Sequence, residues 1–297
     1  MKLNQLALSI LWTTLLAIAL PSELSAQTQN VQPTHRDIAY AEDDPSQKMD
    51  VYLAKSDKPT AAMIFIHGGG WQAGSKNHVP AWLKKFVEDG VLSVVSVEYR
   101  FTQVKTHPAQ VNDCLRAVQF VRQHAGKWNI DPELLGVTGG SAGGHLTAYV
   151  ALHDDVADPK SADPVARQSS RVACAVSFAG PTDWELLKTI QHGHPAYRQL
   201  IGYPPGTPAT EMQESLMADV SPITFASKDD PPVMQVHGDA DDIVPLAHAE
   251  ALHKELESVG ASSTLVVIPG GNHGVAGAGN GVTGRATEFV KKNLLDK

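Results

Sequence analysis

Leu135-Gly136-Val137-Thr138-Gly139-Gly140-Ser141-Ala142-Gly143-Gly144 is the stretch on which the reading of this 297-residue chain turns. It reads as a strand, a sharp bend and the start of a helix. A serine at so tight a bend has its hydroxyl pushed outward, and only small neighbours fit beside it. Here they are Gly139, Gly140, Ala142, Gly143 and Gly144. The helix that follows aims its free N–H groups and the positive end of its dipole at the bend. Gly139-x-Ser141-x-Gly143 therefore reads as a nucleophile elbow with Ser141 as the attacking group. Glycine-rich turns after strands also bind phosphates. A dinucleotide site, however, places its turn after the first strand and an acidic residue about 20 positions on. This bend comes mid-chain, after at least two strands, and no Lys-Ser or Lys-Thr pair ends it.

Working outward, several continuous apolar runs fit strands buried on both faces of a parallel sheet. They are Ala62–Ile66, Val94–Val97, Val172–Val176, Val233–Val236 and Leu265–Ile268. Met49, Val51 and Leu53 alternate with Asp50 and Tyr52, which predicts a half-buried antiparallel starting strand. Helical spacing lies between the runs, at Val111/Leu115/Val118, at Leu246–Val259 with Gly260 as a stop, and in a shorter helix around Leu83–Val87. The alternation predicts an α/β fold, with a mostly parallel central sheet flanked by helices. Residues 183–230 interrupt it with glycines, prolines and short helical patches near Trp184–Ile190 and Glu211–Ala218. They read as a small lid-like insertion in a single domain spanning 35–297.

The first 26 residues carry Lys2, an apolar run from Leu6 to Leu20, Pro21 and a small-residue cleavage pattern at Leu24-Ser25-Ala26. This is the layout of a secretory signal peptide, and the run is short for a bilayer span of about 20 residues. The expectation is export, with no stable membrane span after cleavage and a flexible linker over 27–34. The composition is that of a soluble enzyme, 42% hydrophobic and 19% charged. The formal net charge of −8 argues against nucleic acid as a partner. Cys114 and Cys174 lack metal-ligand spacing and read as buried apolar residues, with a bridge between them left open.

Chemistry gathers at strand ends. His67-Gly68-Gly69-Gly70-Trp71 follows the Ala62–Ile66 run. Three glycines are a destabilising choice for a plain turn, but they let backbone amides approach a negatively charged oxygen. Gly69 and Gly70 are assigned as oxyanion donors together with Ala142, the residue after the nucleophile. Trp71 is the alternative to one of the two glycines, and a candidate wall of the acyl pocket. His67 is read as shaping the loop. His273, in Pro269-Gly270-Gly271-Asn272-His273-Gly274 after the last strand, is the candidate general base. The other histidines fall in loops or on helices, with His145 beneath the elbow and His237 structural. An acid is needed after the penultimate strand to hold the imidazole tautomer, and Asp239, Asp241 and Asp242 compete for that place. The losers would be solvated loop charges or caps. No metal ligands are assigned.

These pieces together resemble bacterial esterases of the α/β-hydrolase superfamily, in particular the feruloyl-esterase-like and lipase/esterase group with an HGGGW loop. The residues that carry the likeness are His67–Trp71, Tyr99-Arg100, Pro108-Ala109, Asp113, Gly139–Leu146 and Asp50-Val51-Tyr52. The likeness runs from about Met49 to the C-terminus. It implies the α/β-hydrolase fold and hydrolysis of carboxylic esters without a cofactor, on small-molecule or carbohydrate-linked substrates. In relatives with His-Gly-x-x-Asp-x-x-Val-Pro, the acid is the Asp of that pattern, which here falls on Asp241. An amidase or peptidase on the same triad is the competing enzyme reading. A non-catalytic binding protein of this fold is the competing reading from another class.

Overall fold

The computed structural model describes residues 31–189, 193–275 and 280–296, so the leader read over 1–26 lies outside the described residues. Eight strands make one sheet. They are β1 (His35–Ala39), β2 (Lys48–Tyr52), β3 (Thr60–Ile66), β4 (Leu92–Val97), β5 (Ile130–Gly140), β6 (Cys174–Phe178), β7 (Val233–Gly238) and β8 (Ser263–Ile268). Their spatial order is β1-β2-β4-β3-β5-β6-β7-β8. β2 runs antiparallel to β1 and β4, and every pairing from β4 through β8 is parallel. The fold is that of an α/β-hydrolase.

The helices are α1 (Ala81–Glu88), α2 (Ala109–His124), α3 (Ala142–Leu152), α4 (Ala196–Leu200), α5 (Glu214–Val220), α6 (Ala247–Val259) and α7 (Asn280–Val290). Alternate residues of the central strands feed two cores. Ala62, Ile64 and Ile66 of β3 join a cluster with residues of α2, α3 and α6. Ala61, Met63 and Phe65 join a second cluster with α1 and α7. This is why the apolar runs show no polar alternation: both faces are covered. α3 is buried along its whole length, which explains its apolar character on every side. Gly260 ends α6 in the left-handed conformation, φ 83°, as the stop signal requires.

The structure amends the sequence reading in several places. β2 is not the first strand, since β1 precedes it and carries His35, which is in a strand and not a loop. Nor is β2 half-buried: Met49 and Val51 pack in one core, Tyr52 in the other, and Asp50 is enclosed beside the Lys76 ammonium, so both faces of the strand are covered. β8 is the opposite case, an edge strand with only Val266 fully buried despite its apolar sequence. At the end of the segment read as a linker, the Thr34 N–H donates to the Val51 carbonyl at 2.7 Å. Cys114 and Cys174 lie in the two different cores and are not bridged to each other.

The interrupting segment lies between β6 and β7. It holds 3₁₀ turns at Trp184–Lys188, Ala209–Glu211 and Pro222–Phe225 besides α4 and α5. It is packed down as a cap, with Trp184, Leu200, Met217 and Val220 fully buried. Two buried histidines pin it. His145 Nε2 lies 2.8 Å from the Val220 carbonyl, and its Nδ1 accepts the Trp71 indole N–H. His248 Nδ1 accepts the N–H groups of Thr182 and Asp183.

Each of these histidines accepts at one nitrogen, so each must be neutral. Burial presses both down to a pKa of about 3. The unfolded chain, near the ordinary histidine value of about 6.5, takes up those protons first. Stability is therefore lost as pH falls through about 6.5 and goes on falling toward about 3. At about pH 5 the loss should be on the order of 2 kcal/mol per histidine. Denaturant melts at neutral and mildly acid pH measure it, and an unchanged midpoint would contradict neutral burial.

Candidate active site

Ser141 stands at the bend between β5 and α3 with φ 58° and ψ −123°. Such a conformation costs roughly 1–3 kcal/mol for a residue with a Cβ and persists only where the surroundings impose it. Here they do. The Ser141 N–H donates to the Phe178 carbonyl of β6 at 2.8 Å. A Cβ on Gly143 would sit 2.1 Å from the Ile66 carbonyl, so only glycine lets the first turn of α3 press on the end of β3.

The His67–Ala73 loop leaves β3 beside this bend. Gly69 has φ 117°, and a Cβ there would meet the Ala73 carbonyl at 2.0 Å. Its carbonyl accepts the N–H groups of Gln72 and Ala73, which closes the turn. Among the described residues, the N–H groups of Gly70 and Ala142 have no hydrogen-bond partner. Trp71 is buried, and its carbonyl accepts the Thr102 N–H at 2.9 Å.

The structure brings the two remaining loops to the same place. His273 Nε2 lies 2.8 Å from Ser141 Oγ, and Nδ1 lies 2.8 Å from Asp241 Oδ2. Asp241 Oδ1 accepts the N–H groups of Ile243 and Val244 at 3.0 and 2.9 Å. Burial pushes the Asp241 carboxyl up, but hydrogen bonds from His237, His273, Val244 and Ile243 outweigh it. They hold the group well below the usual carboxylate range. Of the three competing carboxylates only Asp241 touches His273. Asp242 is exposed. Asp239 is exposed too, as a loop charge would be, and its Oδ1 also accepts the Gly270 N–H at the head of the His273 loop. The Ala240 N–H donates to the Gly271 carbonyl at 2.9 Å, so the acid and histidine loops are stitched together directly.

A cavity of about 440 Å³ opens over Ser141 and His273. Gly69, Gly70, Trp71 and Ala142 line it, which places every assigned oxyanion residue at its wall. Pro181, Ala196, Tyr197, Ile243 and Val244 add an apolar surface, and Gln72, Gln199 and His194 a polar one. Gln72 Nε2 donates to Gln199 Oε1 at 2.7 Å, joining the loop to the cap.

Sequence reasoning missed the support of the glycine loop. His67 Nε2 lies 2.7 Å from Glu98 Oε1, its Nδ1 lies 2.8 Å from the Gly68 carbonyl, and its ring stacks on Tyr99 at 4.5 Å. Glu98 Oε2 accepts the Lys76 N–H at 3.2 Å. The Lys76 ammonium in turn meets the fully buried Asp50 at 2.8 Å and Asp37 at 3.0 Å. The only sequence signal for this network was charge inside or beside apolar strands, at Asp50 and Glu98.

Residues 49–256 match the BD-FAE family. The chain is 31% identical over 229 residues to "Probable carboxylic ester hydrolase LipM" of Mycobacterium tuberculosis, covering 75% of this chain and 52% of that protein. It is 28% identical over 260 residues to "Esterase LipC" of the same organism, covering 85% and 63%. The chain thus spans just over half the length of the first and under two thirds of the second. Among solved structures, the "Truncated form of carbohydrate esterase from gut microbiota" superposes with a TM-score of 0.75 at 28% identity, over 89% of this chain and 98% of that one. The acetyl ester-xyloside bifunctional hydrolase from Caldicellulosiruptor lactoaceticus does so with a TM-score of 0.71 at 27% identity, over 89% and 95%. With well over half of its length matched, this α/β-hydrolase chain belongs to the BD-FAE family.

Proposed function

We propose that this protein is an exported serine carboxylesterase acting through a covalent acyl-enzyme. The observation that carries the reading is the chain of contacts Asp241–His273–Ser141, 2.8 Å at each step, opening on a cavity lined by Gly69, Gly70 and Ala142 among others. Ser141 Oγ attacks the ester carbonyl as its proton passes to His273 Nε2. Asp241 keeps the other imidazole proton on Nδ1 and stabilises the imidazolium as it forms. The N–H groups of Ala142, Gly69 and Gly70 receive the tetrahedral oxyanion. His273 then returns its proton to the departing alcohol, leaving an acyl-serine. Water, deprotonated by His273, attacks that ester and frees the acid and Ser141.

The names of the relatives support ester chemistry over amide chemistry. The cavity supports a compact acyl group against Trp71, Ala196 and Tyr197, with polar contacts from Gln72, Gln199 and His194 for the alcohol side. Short acyl or feruloyl esters of carbohydrates are the proposed substrates, a choice also favoured by the carbohydrate esterase among the structural neighbours. Export rests on the leader pattern at 1–26. No helix among the described residues is long and apolar enough to cross a membrane.

Ser141→Ala should abolish ester turnover and labelling by a fluorophosphonate while the thermal melt is preserved. Near-normal turnover would refute the nucleophile. Because His273 must be neutral to accept a proton, kcat/KM should fall on the acid side of neutrality. Asp241 stays ionised through that range, so a single acid limb is expected. A rate flat down to about pH 4 would exclude a histidine base. Asp241→Asn should cost about 10⁴ in kcat, the scale of amidating a triad acid, whereas Asp242→Asn should leave turnover within about threefold. Both are read on one chromogenic ester, and the reverse outcome would reassign the acid. A panel of acetyl, butyryl, long-chain and feruloyl esters tests the substrate class, which preference for emulsified long-chain lipid would sink.

A further inference from the structure

We propose that His67 is held as an imidazolium between the Gly68 carbonyl and the Glu98 carboxylate, and that this charge is the positioning device of the oxyanion loop. The inference rests on the assignment of Gly69 as an oxyanion donor. Its basis is the count of protons at His67. A neutral imidazole has one N–H and one lone pair. Both nitrogens of His67 face groups that can only accept: Nδ1 the Gly68 carbonyl at 2.8 Å, and Nε2 the Glu98 Oε1 at 2.7 Å. Either neutral tautomer would set a nitrogen lone pair against an oxygen lone pair at that distance. The ring is almost wholly buried, 3% exposed, so water cannot intervene. A proton must therefore be present on the pair. The imidazole is the stronger base by about two units in water. Glu98 is further engaged as an acceptor by the Lys76 N–H, so the proton sits on the ring. The histidines that pin the cap differ, because each accepts a donor at one nitrogen.

The surroundings of His67 add no rival charge. The Tyr99 ring stacks on it and the Phe101 ring meets it edge-on. Burial pushes the Tyr99 phenol up, so it stays neutral, and its O–H donates to the His67 carbonyl at 3.0 Å. From α3, the backbone at Gly143 packs against the His67 carbonyl. The Lys76 ammonium is engaged by Asp50 and Asp37.

The link to the proposed site is one peptide unit. The Gly68 carbonyl and the Gly69 N–H belong to the same trans peptide, and in such a unit they point in opposite directions. A bond from His67 Nδ1 that fixes the carbonyl thereby fixes the N–H on the cavity side. Without the Nδ1 proton, the carbonyl loses its donor and gains a repulsive neighbour. The plane is then free to turn, and the Gly69 donor is withdrawn from the oxyanion. Glycine on both sides of that bond makes the turn sterically cheap.

Glu98→Gln keeps the shape and removes the counter-charge, so in that variant no carboxylate holds the second proton on His67. The ratio of variant to wild-type kcat cancels any pH dependence the two proteins share. It should be close to one at about pH 6 and fall roughly tenfold by about pH 9, with KM changed less than about twofold. A ratio constant with pH would show a merely structural role and overturn the proposal. Nitrogen-15 NMR of histidine-labelled wild-type protein at about pH 8 gives an answer independent of activity and of how the variant folds. His67, identified by its contacts to the Tyr99 ring, should show both nitrogens protonated. An unprotonated shift at either nitrogen would overturn the inference. If the protein hydrolyses no ester, the NMR result still decides the charge of His67, and only the proposed function fails.

Discussion

Between the end of β3 and the first turn of α3 there is no side chain. The Ile66 and His67 carbonyl oxygens lie 2.1 and 2.7 Å from where a Gly143 Cβ would be. The Gly140 carbonyl stands 2.6 Å from a Cβ on Gly68. The elbow and the glycine loop are thus packed backbone on backbone, and the rest of the site follows from that constraint. With the two segments this close, Ala142 at the head of α3 and Gly69 and Gly70 of the loop line one cavity. The chain can leave β5 for α3 only through the left-handed φ of Ser141. The strain is held in place by the Ser141 N–H bond to β6 and by the burial of every residue of α3. A small gain in freedom here would release Ser141 Oγ from His273, so rigidity at the bend is a requirement of the geometry.

Charge is handled in a different way at each loop. Asp241 is buried as an anion, which is costly unless its oxygens are filled. Two backbone N–H groups fill Oδ1, and His273 fills Oδ2. The pattern Asp-x-x-Val is a local turn in which the carboxylate accepts from residues two and three ahead, so Asp241 is oriented by its own segment as well as by His273. Asp239 and the Ala240 N–H then attach the histidine loop to the acid loop. The glycine loop has no acid of its own. It borrows Glu98 from the end of β4, and Lys76 carries the connection on to Asp50 inside the sheet.

How much of this was legible follows from how local each feature is. Buried parallel strands announce themselves as apolar runs, and a bend that tolerates only small residues announces itself as Gly-Gly-Ser-Ala-Gly-Gly. The same locality explains what failed. Leu265–Ile268 has the composition of a central strand and sits at the edge, because position in the sheet is set by topology. Asp50 and Tyr52 alternate with apolar residues as an exposed face would, yet Tyr52 packs into the second core and Lys76 meets the aspartate. The contacts of Glu98 and Asp239 cross 31 residues each, His67 to Glu98 and Asp239 to Gly270, and no spacing rule reaches that far. The cap was visible as a break in alternation, but its packing was not.

The cap, the glycine loop and the elbow helix are joined through one buried histidine. Trp71 Nε1 donates to His145 Nδ1 at 3.2 Å, and His145 Nε2 donates to the Val220 carbonyl at 2.8 Å. Trp71 walls the cavity, His145 belongs to α3, and Val220 ends α5 of the cap. Only a neutral imidazole can accept from one partner and donate to the other, and complete burial keeps it neutral. A lysine or arginine at this place would bring a charge, and an asparagine would be too short to span the two partners. The wall of the cavity is thereby referenced to the same helix that positions Ser141. A change in the cap residues that face the cavity, such as Ala196 or Tyr197, can alter its shape without moving the Ser141–His273 pair. Ser141, Asp241 and His273 stand at the ends of β5, β7 and β8, while Ala196 and Tyr197 of the cavity wall belong to a cap fastened to α3.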